Sequence, residues 1–254
     1  MKSASQLGIV DWGIGGISIH RLIKEKLGNI SIVYMSDTGA IPYGKMSRPE
    51  LVNRLHTVIE FMRSRAVTHL VFGCNAASTA IPFLNTNGMK VEGIIESAIR
   101  LAAQKRPTRL GLIGGDRTVR SGVYRRGLGQ RGIKVEQRIA QPLSGMIESG
   151  DTSSEKLHEQ CRTILAPLKD CSHVLLACTH YPAIAQVMRR HVSPQTVFID
   201  PAAELVRTIK SWRLNTGGTD VFLTTGDPDN MKAAALNAFG FNIRKVRKAR
   251  LQDF

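Results

Sequence analysis

Leu70-Val71-Phe72-Gly73-Cys74-Asn75-Ala76-Ala77-Ser78 and Val174-Leu175-Leu176-Ala177-Cys178-Thr179-His180-Tyr181-Pro182 follow one plan: an apolar run, a small residue, a cysteine, then small or polar residues. A short apolar run bounded by such a break reads as a strand buried on both faces. Each half of the chain also opens on the same kind of run, Leu7-Gly8-Ile9-Val10 and Leu110-Gly111-Leu112-Ile113. Leu7 and Leu110 are 103 positions apart, and Cys74 and Cys178 are 104 apart, so two signals report one internal duplication.

Outward from these runs, short apolar strands alternate with amphipathic helical stretches, the pattern of α/β architecture with mostly parallel sheets. Strands are expected at 9–11, 32–35, 69–73, 91–95, 110–113, 133–138, 174–177, 197–199, 221–224 and 241–246. Helices are expected at 17–26, 49–64, 75–84, 98–104, 120–126, 154–168, 182–191 and 229–239. The duplication predicts two similar α/β domains related by a pseudo-twofold axis, with an active site in the cleft between them. Residues 1–97 with 206–254 would form the first domain and 98–205 the second.

The chain has 254 residues, 43% hydrophobic and 22% charged, the composition of an ordinary globular protein. No apolar run approaches the ~18 residues of a membrane span. Residues 1–13 lack the long apolar core of a signal peptide, so the expected location is the cytoplasm and the four cysteines are read as thiols. The net charge of +15, with a dense cluster at Arg244-Lys245-Val246-Arg247-Lys248-Ala249-Arg250, leaves nucleic acid as one conceivable partner. Aromatics are only 6% and no zinc-finger or RNA-recognition spacing is present, which favours a basic surface that keeps the protein soluble and attracts small anions.

In open α/β sheets, ligands sit beyond the carboxyl ends of the strands. Cys74, Cys178, Asp11 and the loop Asp37-Thr38 all fall at such ends. A lone cysteine ending an apolar strand is most often a buried hydrophobe, and Cys161 and Cys171 are read that way. Two at equivalent places of a repeat are different: two thiols across a small ligand suit removal of a proton from one face and delivery to the other. A cysteine at a helix start would also have its pKa lowered by the helix dipole. Asp11 and His180 could each serve the cysteine on their own side, or cap and fill the core. A zinc site from Cys74, Cys178, His180 and Asp11 lacks any CxxC or HxxxH pair, so no metal is expected. Gly13-Ile14-Gly15-Gly16, with Asp37 beyond it, misses the third glycine of a dinucleotide fingerprint, and a carboxylate held on its backbone N–H groups is preferred.

At these residues the chain resembles, nearly end to end, the cofactor-independent glutamate racemases of the aspartate/glutamate racemase superfamily. Gly8-Ile9-Val10-Asp11 with Gly13 and Gly15-Gly16 is similar to that family's opening motif, and Ser36-Asp37-Thr38 with Pro42-Tyr43-Gly44 to its substrate loop. Gly73-Cys74-Asn75 and Cys178-Thr179-His180-Tyr181-Pro182 resemble its two catalytic segments. Thr118, Ser121 and Tyr124 fit the segment after the second-domain strand, and Met146-Ile147-Glu148-Ser149-Gly150 the glutamate-containing loop. The resemblance implies that Cys74 and Cys178 exchange the proton on the D and L faces, with Asp11 assisting Cys74 and His180 and Glu148 assisting Cys178. It further implies that Asn75 and Thr179 hold the substrate carboxylate, that the Tyr43-Gly44 backbone holds the other acidic group, and that no metal or pyridoxal phosphate takes part. A small acidic amino acid as substrate and a homodimer belong to the same expectation.

Trp12 stands where the family usually has Ser, Ala76 where it has Thr, and Gly115 where Thr is common. A Trp12 that points inward would shorten the pocket for aspartate, one methylene smaller than glutamate, and this reading is favoured. A looser likeness to the aspartate-specific branch associated with cyanobacterial, microcystin-type peptide synthesis agrees with it. The alternatives are a glutamate racemase whose Trp12 turns away, and a lapsed homologue that binds polyanions through its basic surface. With Pro42 and Thr118, the expected substrate-binding residues are complete.

Overall fold

β1 (Leu7–Asp11), β2 (Ile32–Ser36), β3 (His69–Phe72) and β4 (Lys90–Gly93) pair in parallel in the order β2-β1-β3-β4. β5 (Leu110–Gly114), β6 (Val135–Ile139), β7 (His173–Ala177) and β8 (Val197–Ile199) repeat that order as β6-β5-β7-β8 in a second parallel sheet. β9 (Val221–Thr224) and β10 (Val246–Lys248) extend the first sheet beside β2, making it six-stranded. This is the structure of residues 5–251 in a computed structural model. The α/β class with two mostly parallel sheets is as the sequence predicts.

The central strands are apolar up to their carboxyl ends because helices cover both faces. Every residue of β1, β2 and β5 is buried, Asp11 and Ser36 at the ends of β1 and β2 included. Helix Ile94–Gln104 carries the chain from the first sheet to the second and Ala202–Lys210 carries it back, and the two pack on each other. Arg100 joins them, donating from Nη2 to Thr208 Oγ1 at 2.7 Å. Helix Arg48–Arg63 starts from a capping box, in which Ser47 Oγ accepts the Glu50 N–H and the Glu50 carboxylate accepts the Ser47 N–H. Leu51, Leu55, Val58, Ile59 and Met62 bury its inner face.

Several elements depart from the sequence-based expectation, each for a local reason. The helix expected at 75–84 is one turn, Asn75–Ser78, followed by a 3-10 turn at Ile81–Phe83, because Pro82 cannot donate to continue it. The helix at 120–126 is two pieces, Asp116–Arg120 and Val123–Gly129, broken at Gly122, whose φ of 69° is left-handed. The segment 182–191 becomes a 3-10 turn, Tyr181–Ile184, and a short helix, Ala185–Arg189. Glu148 ends the helix Gln141–Glu148, so the expected loop at 146–150 begins helical. The last strand falls at Val246–Lys248, where Val246 finds Phe222 as partner, beyond the 241–246 that apolarity suggested.

The basic cluster at 244–250 thereby contains an edge strand, Val246–Lys248, with its other cations just beside it. Val246 and Ala249 are buried, while Arg244, Lys245, Arg247, Lys248 and Arg250 are exposed. Arg247 and Lys248 on an edge strand discourage its pairing with another chain. Among the described residues no helix is long and apolar enough to cross a membrane.

Candidate active site

Asp11 and Trp12 leave β1, and Cys74 and Asn75 follow β3, at the same edge of the first sheet. Cys178, Thr179 and His180 follow β7 at the corresponding edge of the second. The two edges share one small cavity of about 50 Å³, lined from the first half by Asp11, Trp12, Pro42, Tyr43, Gly44, Cys74, Asn75 and Ala76. Thr118, Cys178, Thr179 and His180 line it from the second half. Every site residue expected from the sequence is therefore on this cavity except Glu148, which stands behind His180.

On the second side, His180 Nδ1 lies 3.7 Å from Cys178 Sγ and its Nε2 is 2.7 Å from Glu148 Oε2. Burial alone would depress the His180 pKa, but the hydrogen bonds and charges of Cys178 and Glu148 together raise it well above the usual range. Glu148 Oε2 also accepts the Ile14 N–H at 3.0 Å. The glycine turn thus holds a carboxylate on its backbone, as the sequence suggests, but the carboxylate is the protein's own. A Cβ on Gly13 would collide with the Glu148 carboxylate, and one on Gly15 would lie 2.8 Å from His180 Nδ1, so both must be glycine for the two halves to meet here.

On the first side, burial, with the Asp11 charge behind it, pushes the Cys74 thiol well above its usual pKa. The helix dipole invoked from sequence does not prevail, because the helix that Cys74 caps is only Asn75–Ser78. The Asp11 pKa is raised by burial, against the opposing effects of the His180 charge and the hydrogen bonds from Thr179 and Trp12. Its Oδ1 accepts the Trp12 N–H at 2.7 Å and its Oδ2 the Thr179 hydroxyl at 2.8 Å. The Thr179 proton is thus committed to Asp11. Asn75 Oδ1 accepts the Tyr124 hydroxyl from the second half at 2.6 Å, and among the described residues the buried Asn75 Nδ2 has no partner.

Asp37 is not on the cavity. Fully buried, it accepts from Arg54 Nε at 2.8 Å and Nη2 at 2.5 Å, from the Tyr43 hydroxyl at 2.7 Å and from the Thr225 hydroxyl at 2.7 Å. It anchors the loop that presents Pro42, Tyr43 and Gly44. Trp12 is fixed against the same loop, its indole N–H donating to Ala40 O at 3.0 Å. With its N–H spent there, Trp12 offers the cavity a ring and no hydroxyl.

Gln141, Ser144 and Ala177 also line the cavity, and sequence reasoning passed over them. Gln141-Pro142 directly before a helical stretch is a helix-start signal that would have placed Gln141 near the strand ends. Cys161 and Cys171 are buried in the core, as expected. Among the described residues no group of three or more His, Cys, Asp or Glu is placed to hold a metal.

The family model for Asp/Glu/hydantoin racemases matches residues 15–209. A glutamate racemase of Desulforudis audaxviator is 32% identical over 221 residues, covering 83% of this chain and 80% of that one. One of Carboxydothermus hydrogenoformans is 30% identical over 263 residues, covering 99% and 98%. The crystal structure of glutamate racemase from Francisella tularensis in complex with D-glutamate superposes with a TM-score of 0.89 at 22% identity, covering 98% of this chain and 99% of that one.

Proposed function

The chain belongs to the Asp/Glu/hydantoin racemase family and is a racemase of that class; from this we propose that it inverts the Cα of a free acidic amino acid by proton transfer between two thiols, without a cofactor. The observation that carries this reading is the meeting of Cys74 and Cys178, from equivalent strand ends of two like sheets, on one cavity. One cysteine as thiolate removes the Cα proton while the other as thiol donates to the opposite face, and the reverse reaction exchanges the roles.

Asp11 would exchange a proton with Cys74 and His180 with Cys178. Glu148, bound to His180 Nε2, is a positioning residue that fixes which imidazole nitrogen faces the sulfur. The unpartnered Asn75 Nδ2 suits the substrate α-carboxylate, because a buried amide donor without an acceptor is costly until a ligand supplies one. Thr118 and the Pro42–Gly44 loop would shape the remainder of the site. We also read the two sheets as two domains, 1–97 with 206–254 and 98–205.

Glutamate is the substrate that the named relatives support. One observation favours aspartate as a second reading: the Trp12 ring lies on the cavity, pinned by Ala40, and Ala76 on the same cavity brings no hydroxyl. Proton NMR of the purified protein in D₂O, with L-glutamate and L-aspartate in separate tubes and no added cofactor, tests both. Loss of the Cα proton signal with growth of the D-isomer establishes the reaction and names the substrate. Absence of exchange with either amino acid overturns the proposal.

A further inference from the structure

Gln141, from the second half of the chain, fills the space that two glycines leave open, Gly44 of the first half and Gly115 of the second. A Cβ on Gly44 would lie 2.7 Å from Gln141 Oε1, and a Cβ on Gly115 would lie 2.9 Å from it. Gly115 is the N-cap of the helix Asp116–Arg120 and has no side chain to accept the free N–H groups of the first turn. Gln141 does this instead, its Oε1 accepting the Asp116 N–H at 3.1 Å. Its Nε2 donates to Ser144 Oγ at 3.2 Å, and the Ser144 hydroxyl donates onward to Gln141 O at 2.9 Å. The amide orientation is thereby set: oxygen toward the helix start, NH₂ toward Ser144. An amide nitrogen has two donors, and among the described residues only one of them has an acceptor. Gln141, Ser144 and Gly44 all line the catalytic cavity.

We propose that Gln141 is a specificity-determining residue, its free N–H binding the side-chain carboxylate of the substrate at the Gly44 end of the cavity. The inference rests on the racemase reading and deepens it. A donor whose amide is held by the helix start and Ser144, and for which Gly44 leaves room, stands at a fixed distance from Cys178 on the same half. That distance selects the length of the dicarboxylate.

Gln141→Glu keeps an oxygen for the Asp116 N–H, removes the donor and sets a negative charge where the substrate carboxylate would lie, so it separates binding from helix capping. A KM rise of about tenfold or more for the preferred acidic amino acid is expected, with kcat changed far less, as for loss of a hydrogen bond to a charged group. Gly115→Ser with Gln141→Ala restores a capping oxygen at a position whose φ of −64° and ψ of 161° suit serine, without restoring the donor. The melting midpoint is expected to recover in this double variant relative to Gln141→Ala alone, while KM stays high and the aspartate-to-glutamate ratio of kcat/KM changes. An unchanged KM and ratio in the double variant would reduce Gln141 to a cap and overturn the inference alone. A wild-type protein that exchanges the Cα proton of neither amino acid overturns the racemase reading, and this inference with it.

Discussion

The hydroxyl of Thr179, from the end of β7, donates to the carboxylate of Asp11, at the end of β1, over 2.8 Å. The two residues lie 168 positions apart, and their bond joins the two sheets where the two cysteines meet. It also moderates a buried carboxylate. Burial raises the Asp11 pKa, and the Thr179 hydrogen bond is among the interactions that hold it down. Thr179→Val is expected to raise that pKa further, moving the acid limb of the kcat/KM profile to higher pH. A pH–rate series in both directions of the reaction would show it, and an unmoved limb would remove Asp11 from the titrating set.

Replacing either thiol should abolish turnover, since each face of Cα needs its own donor or acceptor. Cys74→Ser and Cys178→Ser are each expected to lower racemisation by at least roughly a thousandfold, a hydroxyl being far less acidic than a thiol. Circular dichroism should be unchanged. A serine variant with a tenth of the wild-type rate would refute the two-thiol mechanism.

The His180 imidazole titrates high because Cys178 and Glu148 outweigh the effect of burial. A folded-state pKa above the unfolded value of about 6.5 contributes stability that is fully present below that value. The contribution is lost as pH rises through the folded pKa. Glu148→Gln should therefore narrow this window from its alkaline end. The test is an NMR titration of the His180 ring with a parallel series of melting midpoints; a variant whose ring titrates as in the wild type would show that Glu148 is not the partner that matters.

Trp12→Ser is expected to raise kcat/KM for glutamate relative to aspartate, by the ~1–3 kcal/mol that one methylene is worth in a pocket. Isotope exchange rates with the two amino acids measure the ratio. If it stays where it was or falls, substrate length is set elsewhere.

Arg54→Met would leave the fully buried Asp37 carboxylate with the Tyr43 and Thr225 hydroxyls but without its cation. Removing one partner of a fully buried pair typically costs ~3–5 kcal/mol. A smaller loss is expected here, because the Arg54 side chain is a quarter exposed and Asp37 keeps two hydroxyl donors. Denaturant unfolding should register that loss, and KM should rise because Asp37 also holds the Tyr43 hydroxyl. A variant as stable as the wild type would mean that the loop is held by other contacts.

The order of apolar runs, the duplication and the position of each cysteine were legible in the sequence, because a parallel strand buried on both faces must be apolar and must end where a polar residue begins. Those rules are local, and they place Asp11, Cys74 and Cys178 at strand ends with His180 just beyond. Element boundaries were less legible where proline or a left-handed glycine cuts a helix, as at Pro82 and Gly122. Only tertiary structure decided what each side chain faces. Asp37 reads only as part of a loop at a strand end and is the anchor that Arg54 and Tyr43 hold; the glycine turn reads as an anion cradle and holds Glu148; Gln141 reads only as a helix start and fills the space at Gly44 and Gly115. These outcomes turn on contacts between segments far apart in the chain, which no local pattern of residues encodes.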